Sequence, residues 1–268
     1  MNTPKPTARE VIDANIEYHT ALVNADYEKQ PYFHPENRRR VDGILAGGAG
    51  GAFLDIGCGT GFLLEMAGEH FKTCKGIDIT PAMVEAAKAK GLDVVLGLSH
   101  ELPFEDNTFD MIACNSFLHH LQSLAPTLKE IFRVLKPGGK FYADQEPNFY
   151  FQEMLMLHEG KTANELINNE YLRTIKEEEI YAQEYGIDQR VAKLAEYQKI
   201  KGGFREEDIR GEFEIAGFHD VEVHYHWYLA EKTEREASVR NYLHTYLPAT
   251  RPLFKYFYIL GHKGVSPA

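Results

Sequence analysis

The stretch F-L-D-I-G-C-G-T-G-F, residues 53 to 62, constrains what this chain folds into more than any other. A short apolar run stops at Gly57, Gly59 and Gly61, and an apolar helical pattern follows at once. Glycine is needed where φ must be positive or where a Cβ would hold a ligand off the backbone, so strand, turn and helix in this order make a nucleotide-type site. The spacing is GxGxG with Asp55 just ahead of it, not the GxGxxG of dinucleotide binders.

Around that turn, apolar runs alternate with helical ones: FLDIG, FLLEMAGEHF, CKGIDI, PAMVEAAKAKG, DVVLG, FDMIACN, APTLKEIFRVLKPGG and KFYAD. Strict alternation predicts an α/β fold, a parallel sheet with helices on both faces, and continuous apolar strands agree with burial on both sides. Gly91 and Pro137-Gly138-Gly139 sit where helices must stop. Asp78 closes KGIDI, at the C-terminal edge of the second strand. A carboxylate there either accepts hydrogen bonds from both hydroxyls of a ribose or caps the helix opening at Pro81.

Residues 8 to 24 and 36 to 46 read as helices joined by an aromatic, proline-containing loop, NADYEKQPYFHPEN. Residues 149 to 203 interrupt the α/β rhythm with a mostly helical, tyrosine-rich and charged stretch, the pattern of a lid or substrate-pocket insertion. After it come the helix REEDIRGEFEIAGF, the alternating strand VEVHYHWYL, a helix over SVRNYLHTYL and a last strand, LFKYFYILGHK. The expected division is an N-terminal helical cap (1–44), a nucleotide-binding core (45–148), the helical insertion (149–203) and completion of the core sheet (204–268).

A net charge of −11 disfavours broad contact with nucleic acid, which needs clustered Lys and Arg. No run approaches the ~20 apolar residues of a membrane span, and the N-terminus has no secretory pattern. Cys58, Cys74 and Cys114 lie in or beside apolar runs and form no CxxC pair, which reads as buried thiols in a reducing cytoplasm. The expected partner is a small-molecule acceptor, with no nucleic acid or membrane, and the expected assembly a monomer or homodimer.

Four motifs together resemble the class I S-adenosylmethionine-dependent methyltransferases, in their small-molecule group: Leu54 to Gly61 (LDIGCGTG), Asp78, Leu102 to Asp110 (LPFEDNTFD) and Arg133 to Gly139 (RVLKPGG). The resemblance covers about residues 45 to 148. It implies a Rossmann-like seven-stranded sheet in the order 3-2-1-4-5-7-6 with the last-formed strand antiparallel, and S-adenosyl-L-methionine as cofactor. It further implies that Asp55 and the Gly57, Cys58, Gly59 and Gly61 turn surround the methionine part. Asp78 would hold the ribose, and Ile79 and Met83 would lie beside the adenine. Where many relatives carry an acid for the adenine amino group this chain reads GLSHELPF, so Ser99, His100, Glu101 or the backbone must supply that contact.

Asn115 and Ser116 open the loop after strand four, where ligands of an open parallel sheet collect. The sequence there, N-S-F-L, lacks the two prolines and aromatic of DNA amino-methyltransferases. His119 is expected to face the methionine end of the cofactor, as a general base or as a positioning or packing group, while His120 points to the following helix. Adjacent side chains diverge on a strand or helix and no third ligand is near in sequence, so no metal site is expected at the pair. His224 and His226 share a strand face but belong to an edge strand. Glu146 is a candidate base or ammonium binder, or else a loop-bonding group; Tyr150 is a further catalytic candidate. Asn148 and Tyr18, Tyr27, Tyr32, Tyr171 and Tyr181 are candidates to line the substrate pocket.

The expected activity is methyl transfer to an N or O atom of a small metabolite. A cyclising or aminocarboxypropyl enzyme that releases methylthioadenosine, and a noncatalytic cofactor-binding regulator, are the alternatives.

Overall fold

The computed structural model of the chain describes residues 5–23, 33, 35–158, 165–228 and 248–265. Seven strands form one sheet in the order β3-β2-β1-β4-β5-β7-β6, the expected order. Strands β1 (Gly50–Ile56), β2 (Phe71–Asp78), β3 (Val94–Leu96), β4 (Phe109–Asn115) and β5 (Leu135–Pro147) pair in parallel. The last strand, β7 (Phe254–His262), runs antiparallel between β5 and β6 (His219–Tyr228), as expected.

Helices α1 (Ala8–Val23) and α2 (Pro35–Ala46) precede the sheet. Between the parallel strands run α3 (Phe62–Ala67), α4 (Pro81–Ala89) and α5 (Ala125–Val134). The α5 sequence sets Leu128, Ile131 and Val134 three residues apart, so one stripe faces the sheet and all three are fully buried. Each contributes roughly 1.5–3 kcal/mol by leaving water. The two faces of the sheet carry separate cores, one with Leu54, Ile112, Leu118 and Phe141, the other with Leu45, Phe53, Met111 and Tyr142.

The insertion folds into α6 (Phe149–His158), α7 (Glu165–Ile175), α8 (Glu177–Tyr185), α9 (Gln189–Ala195) and the short α10 (Tyr197–Ile200), before α11 (Glu206–Ile215) returns to the sheet. Helix α1 packs on α9, and Tyr18, Leu22, Ala182, Ile187, Ala192 and Ala195 form a third, small core there. That core ties the N-terminal helix to the insertion above the C-terminal ends of the parallel strands.

Two features of β5 depart from a simple strand. Its extended backbone begins at Leu135, ahead of the glycine pair; Phe109 pairs with Leu135 but Met111 with Lys140, so Lys136–Gly139 bulge out where a plain turn was expected. Further on, Ala143 pairs with Ile259 and Glu146 with Phe257: three steps on β5 against two on β7. The extra residue shifts the two-residue alternation, so Glu146 shares a face with Ala143 while Asp144 stays with Tyr142. Gln145, at the bulge, has φ 60°.

Cys58 and Cys114 are buried as expected, whereas Cys74 is only half-buried. The helix expected over SVRNYLHTYL falls outside the described residues.

Candidate functional site

The glycine turn takes the shape that its composition demands. Gly57, Gly59 and Gly61 have φ of 67°, 52° and 99°. A Cβ on Gly57 would stand 2.4 Å from the Phe117 ring, and one on Gly61 2.0 Å from Leu92 Cδ1. The N–H groups of Gly57 and Cys58 both donate to the Ile77 carbonyl (2.8 and 3.1 Å), which fastens the turn to the end of β2. Asp78 completes the fastening: its carboxylate accepts from Gly59 N–H at 2.9 Å and from Thr80 N–H, at the start of α4, at 2.8 Å. Capping and ligand binding are thus not alternatives here. A carboxylate has about four acceptor positions, and two are taken.

In front of this turn lies a largely apolar cavity of ≈ 200 Å³. Of the residues expected at a cofactor, Gly57, Gly59, Asp78, Ile79 and Met83 line it. Ser99, His100, Asn115 and Ser116 line it too. Asp55, Cys58 and Gly61 do not. Gly61 precedes α3, Cys58 packs beneath the turn, and Asp55 is buried on β1. Burial, and then the charge of Asp78, push the Asp55 carboxyl well above its usual range. Ser99 turns its hydroxyl to Thr127 (2.9 Å), and Glu101 is exposed and off the wall, which leaves His100 and the backbone for a base edge.

A second, smaller cavity of ≈ 80 Å³ opens beyond the loop that follows β4. His19, Ser116 and His120 line both cavities and form the wall between them. Ser116 holds φ 53°, rare for a residue with a side chain, and its N–H donates to the Asp144 carbonyl at 2.8 Å. Besides Leu22 and Pro147, the remaining lining includes Tyr18 from α1, Glu177 and Tyr181 from α8, Glu196 and Lys199 beside and within α10, and Tyr256 from β7. Lys199 Nζ stands 2.5 Å from Glu177 and 3.6 Å from Glu196.

The histidines exchange the positions expected of them. Leu118–His120 is a 3-10 turn, and the His119 and His120 rings lie 4.2 Å apart instead of diverging. His120 reaches the first cavity; His119 lines only the second. His119 sits between two carboxylates, with Nδ1 2.9 Å from Glu146 and Nε2 3.4 Å from Glu196. Burial disfavours the charged ring, yet Glu146 outweighs it and raises the His119 pKa. Burial and the neighbouring His119 push His120 well below the usual histidine value. Burial works against ionisation of Glu196 as well, but Lys199 and the nearby histidines bring it down to about 2.

Glu146 is fully buried and accepts from the N–H groups of Phe117 (3.2 Å), Leu118 (2.8 Å) and His119 (3.1 Å) besides the His119 ring. Every donor around it belongs to the loop, and it lines neither cavity, so its geometry is that of the loop-bonding alternative and not of a base. Tyr150 points away: its hydroxyl donates to Glu207 of α11. Asn148 is buried, with its amide donating to the carbonyls of Arg251 and Phe254. Tyr171 lines neither cavity, and Tyr27 and Tyr32 lie outside the described residues. His226 donates or accepts at Asp144 (2.8 Å) while His224 pairs with Glu222 (2.9 Å), so that pair does not converge. Glu177, Glu196 and Lys199 went unnoticed in the sequence; the only hint is that charge recurs within a tyrosine-rich helical stretch.

The first cavity suits the cofactor that the motifs imply. Asn115 Oδ1, on its wall, is buried with no hydrogen-bond partner among the described residues, a free acceptor for an ammonium group.

Residues 54–143 match the family model described as a methyltransferase domain. The chain is 36% identical over 106 residues to an uncharacterized methyltransferase, YcgJ, of Bacillus subtilis, covering 35% of this chain and 42% of the relative. It is 36% identical over 118 residues to the demethylmenaquinone methyltransferase of Bacillus cereus, covering 40% and 49%. The chain thus matches less than half the length of these curated relatives. Among solved structures, the Haemonchus contortus phosphoethanolamine N-methyltransferase 2 in complex with S-adenosyl-L-methionine superposes with a TM-score of 0.57 at 18% identity, over 99% of this chain and 62% of that one. Residues 54–143 are thus similar to a methyltransferase domain, the solved structures share the fold, and S-adenosylmethionine is the cofactor that fits the motif set.

Proposed function

We propose that this protein transfers a methyl group from S-adenosylmethionine to an N or O atom of a small metabolite seated in the second cavity. The observation that carries the reading is the common wall: Ser116, His19 and His120 border both cavities, so a donor in one and an acceptor in the other meet at the end of β4.

When bound, the cofactor supplies a sulfonium-borne methyl group that a lone pair displaces in line. The chain holds it with the backbone of Gly57 and Gly59, Asp78 at the ribose and the free Oδ1 of Asn115 at the amino group. Catalysis then rests mainly on placing the acceptor lone pair about 3–3.5 Å from the methyl carbon. Tyr18, Tyr181 and Tyr256 provide aromatic walls for that placement. Glu196, held as a carboxylate with its pKa at about 2, faces the acceptor as a hydrogen-bond acceptor for its N–H or O–H and not as its base.

A quinol acceptor is a second reading, favoured by the demethylmenaquinone methyltransferases among the relatives. Against it, Tyr18, Glu177, Tyr181, Glu196, Lys199 and Tyr256 all lie outside the 54–143 family match, and they bring charged groups into a cavity of only ≈ 80 Å³.

The test is incubation of the purified protein with S-adenosylmethionine, with and without a metabolite extract, and separately with a demethylmenaquinol, followed by mass spectrometry of the adenosine product. S-adenosylhomocysteine formed only with extract is expected. Methylthioadenosine formed without extract would overturn the reading in favour of cyclisation, and turnover with the quinol alone would replace the acceptor class.

A further inference from the structure

The geometry points to a divalent transition-metal site formed by His119, His120 and Glu196 on the wall of the second cavity. One ligand atom from each residue lies within 4.8 Å of the others. His119 Nε2 and Glu196 Oε2 are 3.4 Å apart, close to the edge of about 3.3 Å that a tetrahedron has when N and O ligands stand at ~2.0–2.1 Å from zinc.

The second argument is what surrounds these three residues. A metal-binding imidazole normally gives its other N–H to a carboxylate or a carbonyl, which fixes the ring and leaves a lone pair on the ligating nitrogen. Both histidines meet this requirement. His119 Nδ1–H donates to Glu146 (2.9 Å), itself anchored by three backbone N–H groups, and His120 Nδ1–H donates to the Ala195 carbonyl (2.7 Å). His119 therefore turns its lone pair, on Nε2, toward Glu196; His120 Nδ1, 3.9 Å from Glu196 Oε1, is held by Ala195, so ligation by His120 falls to its Nε2.

Neighbours fit the same purpose. Lys199 is a competing cation at Glu196, but it stands closer to Glu177 and keeps that partner if an ion takes Glu196. A third imidazole, His19, packs edge-on at 4.9 Å from the His120 ring. Two imidazoles and a carboxylate select zinc and its neighbours over calcium or magnesium, and three protein ligands leave a position for water or for an acceptor heteroatom. The absence of a third ligand, argued from the sequence, reflected only its distance along the chain.

This inference is independent of the acceptor assignment, because metal binding is scored without cofactor or acceptor. The full-length protein, stripped with a chelator and desalted, is titrated with Co²⁺ and followed by visible absorption. One equivalent per chain is expected, with ligand-field bands that zinc abolishes, and X-ray absorption of the zinc form is expected to show two imidazoles in an N/O shell. Glu196→Gln, nearly isosteric, should weaken zinc binding by on the order of 100-fold, and Glu146→Gln, acting through His119, by about 10–100-fold. Far-UV circular dichroism and S-adenosylhomocysteine binding serve as folding controls. No Co²⁺ spectrum in the wild type, an absorption shell without imidazole, or affinity unchanged in Glu196→Gln would each overturn the proposal.

Discussion

The two cavities that meet at Ser116 and His120 are made of different material. The first is shaped by backbone: a positive-φ glycine turn, the ends of β1, β2 and β4, and one carboxylate that fastens them together. The second is shaped by side chains from α1, α8, α10 and β7, brought together by the packing of α1 on α9. Backbone recognition depends on a few contiguous residues, here within the 54–143 match. Side-chain recognition depends on how distant segments pack, and here those segments lie outside that match.

Three changes sharpen or break this contrast. Asp78→Ala removes the charged side-chain anchor of the first cavity. Losing two charge-assisted hydrogen bonds of about 1.5–3 kcal/mol each predicts S-adenosylhomocysteine binding weaker by on the order of 10²–10⁴, read by titration calorimetry. Unchanged affinity would mean that backbone alone holds the cofactor.

Asp144→Asn tests the platform below the second cavity. Asp144 is fully buried and accepts from Arg40 (2.7 Å), from His226 (2.8 Å) and from Tyr142. Removing its charge leaves Arg40 uncompensated, with a cost of roughly 3–5 kcal/mol in urea unfolding and little change in cofactor affinity. Burial resists ionisation of Asp144, but Arg40 and His226 hold its pKa below the ordinary 3.8. Its contribution is therefore complete above that ordinary value and is lost as pH falls toward the depressed one. The wild type should lose stability along this acid limb, and the variant should show a flatter one.

Tyr181→Phe is the mildest. It removes a hydroxyl on the second cavity that donates to Glu177 at 3.4 Å. At about 1 kcal/mol, it should raise the KM for the acceptor about fivefold while cofactor binding stays as it was. A shift in cofactor affinity instead would show that the two cavities are not separable.

The same contrast explains what the sequence discloses. The strand order, the antiparallel last strand, the glycine turn and Asp78 all follow from local patterns or from the motifs they resemble. The positions of His119 and His120 did not, because each ring is placed by a partner distant in sequence, Glu146 for His119 and the Ala195 carbonyl for His120. Glu196 lies at the junction of α9 and α10, with no motif around it, and reaches the histidines only through tertiary packing. Glu146 was visible as an acid near the site, yet its role depends on a backbone irregularity at Gln145, a residue type that gives no warning of φ 60°.

That irregularity has a further consequence. A β-strand has a reading frame of two, and Gln145 shifts it by one, so Asp144 and Glu146 serve opposite faces: one braces α2 through Arg40, the other braces the histidine loop. Deleting that single residue would make the two acids consecutive in a regular strand, still on opposite faces, with the two steps from Ala143 to Glu146 matching those from Ile259 to Phe257. The deletion would instead cost the Gln145 amide bond to Asn37 of α2 (3.0 Å). With Gln145 in place, acids two apart in sequence stand one apart in frame.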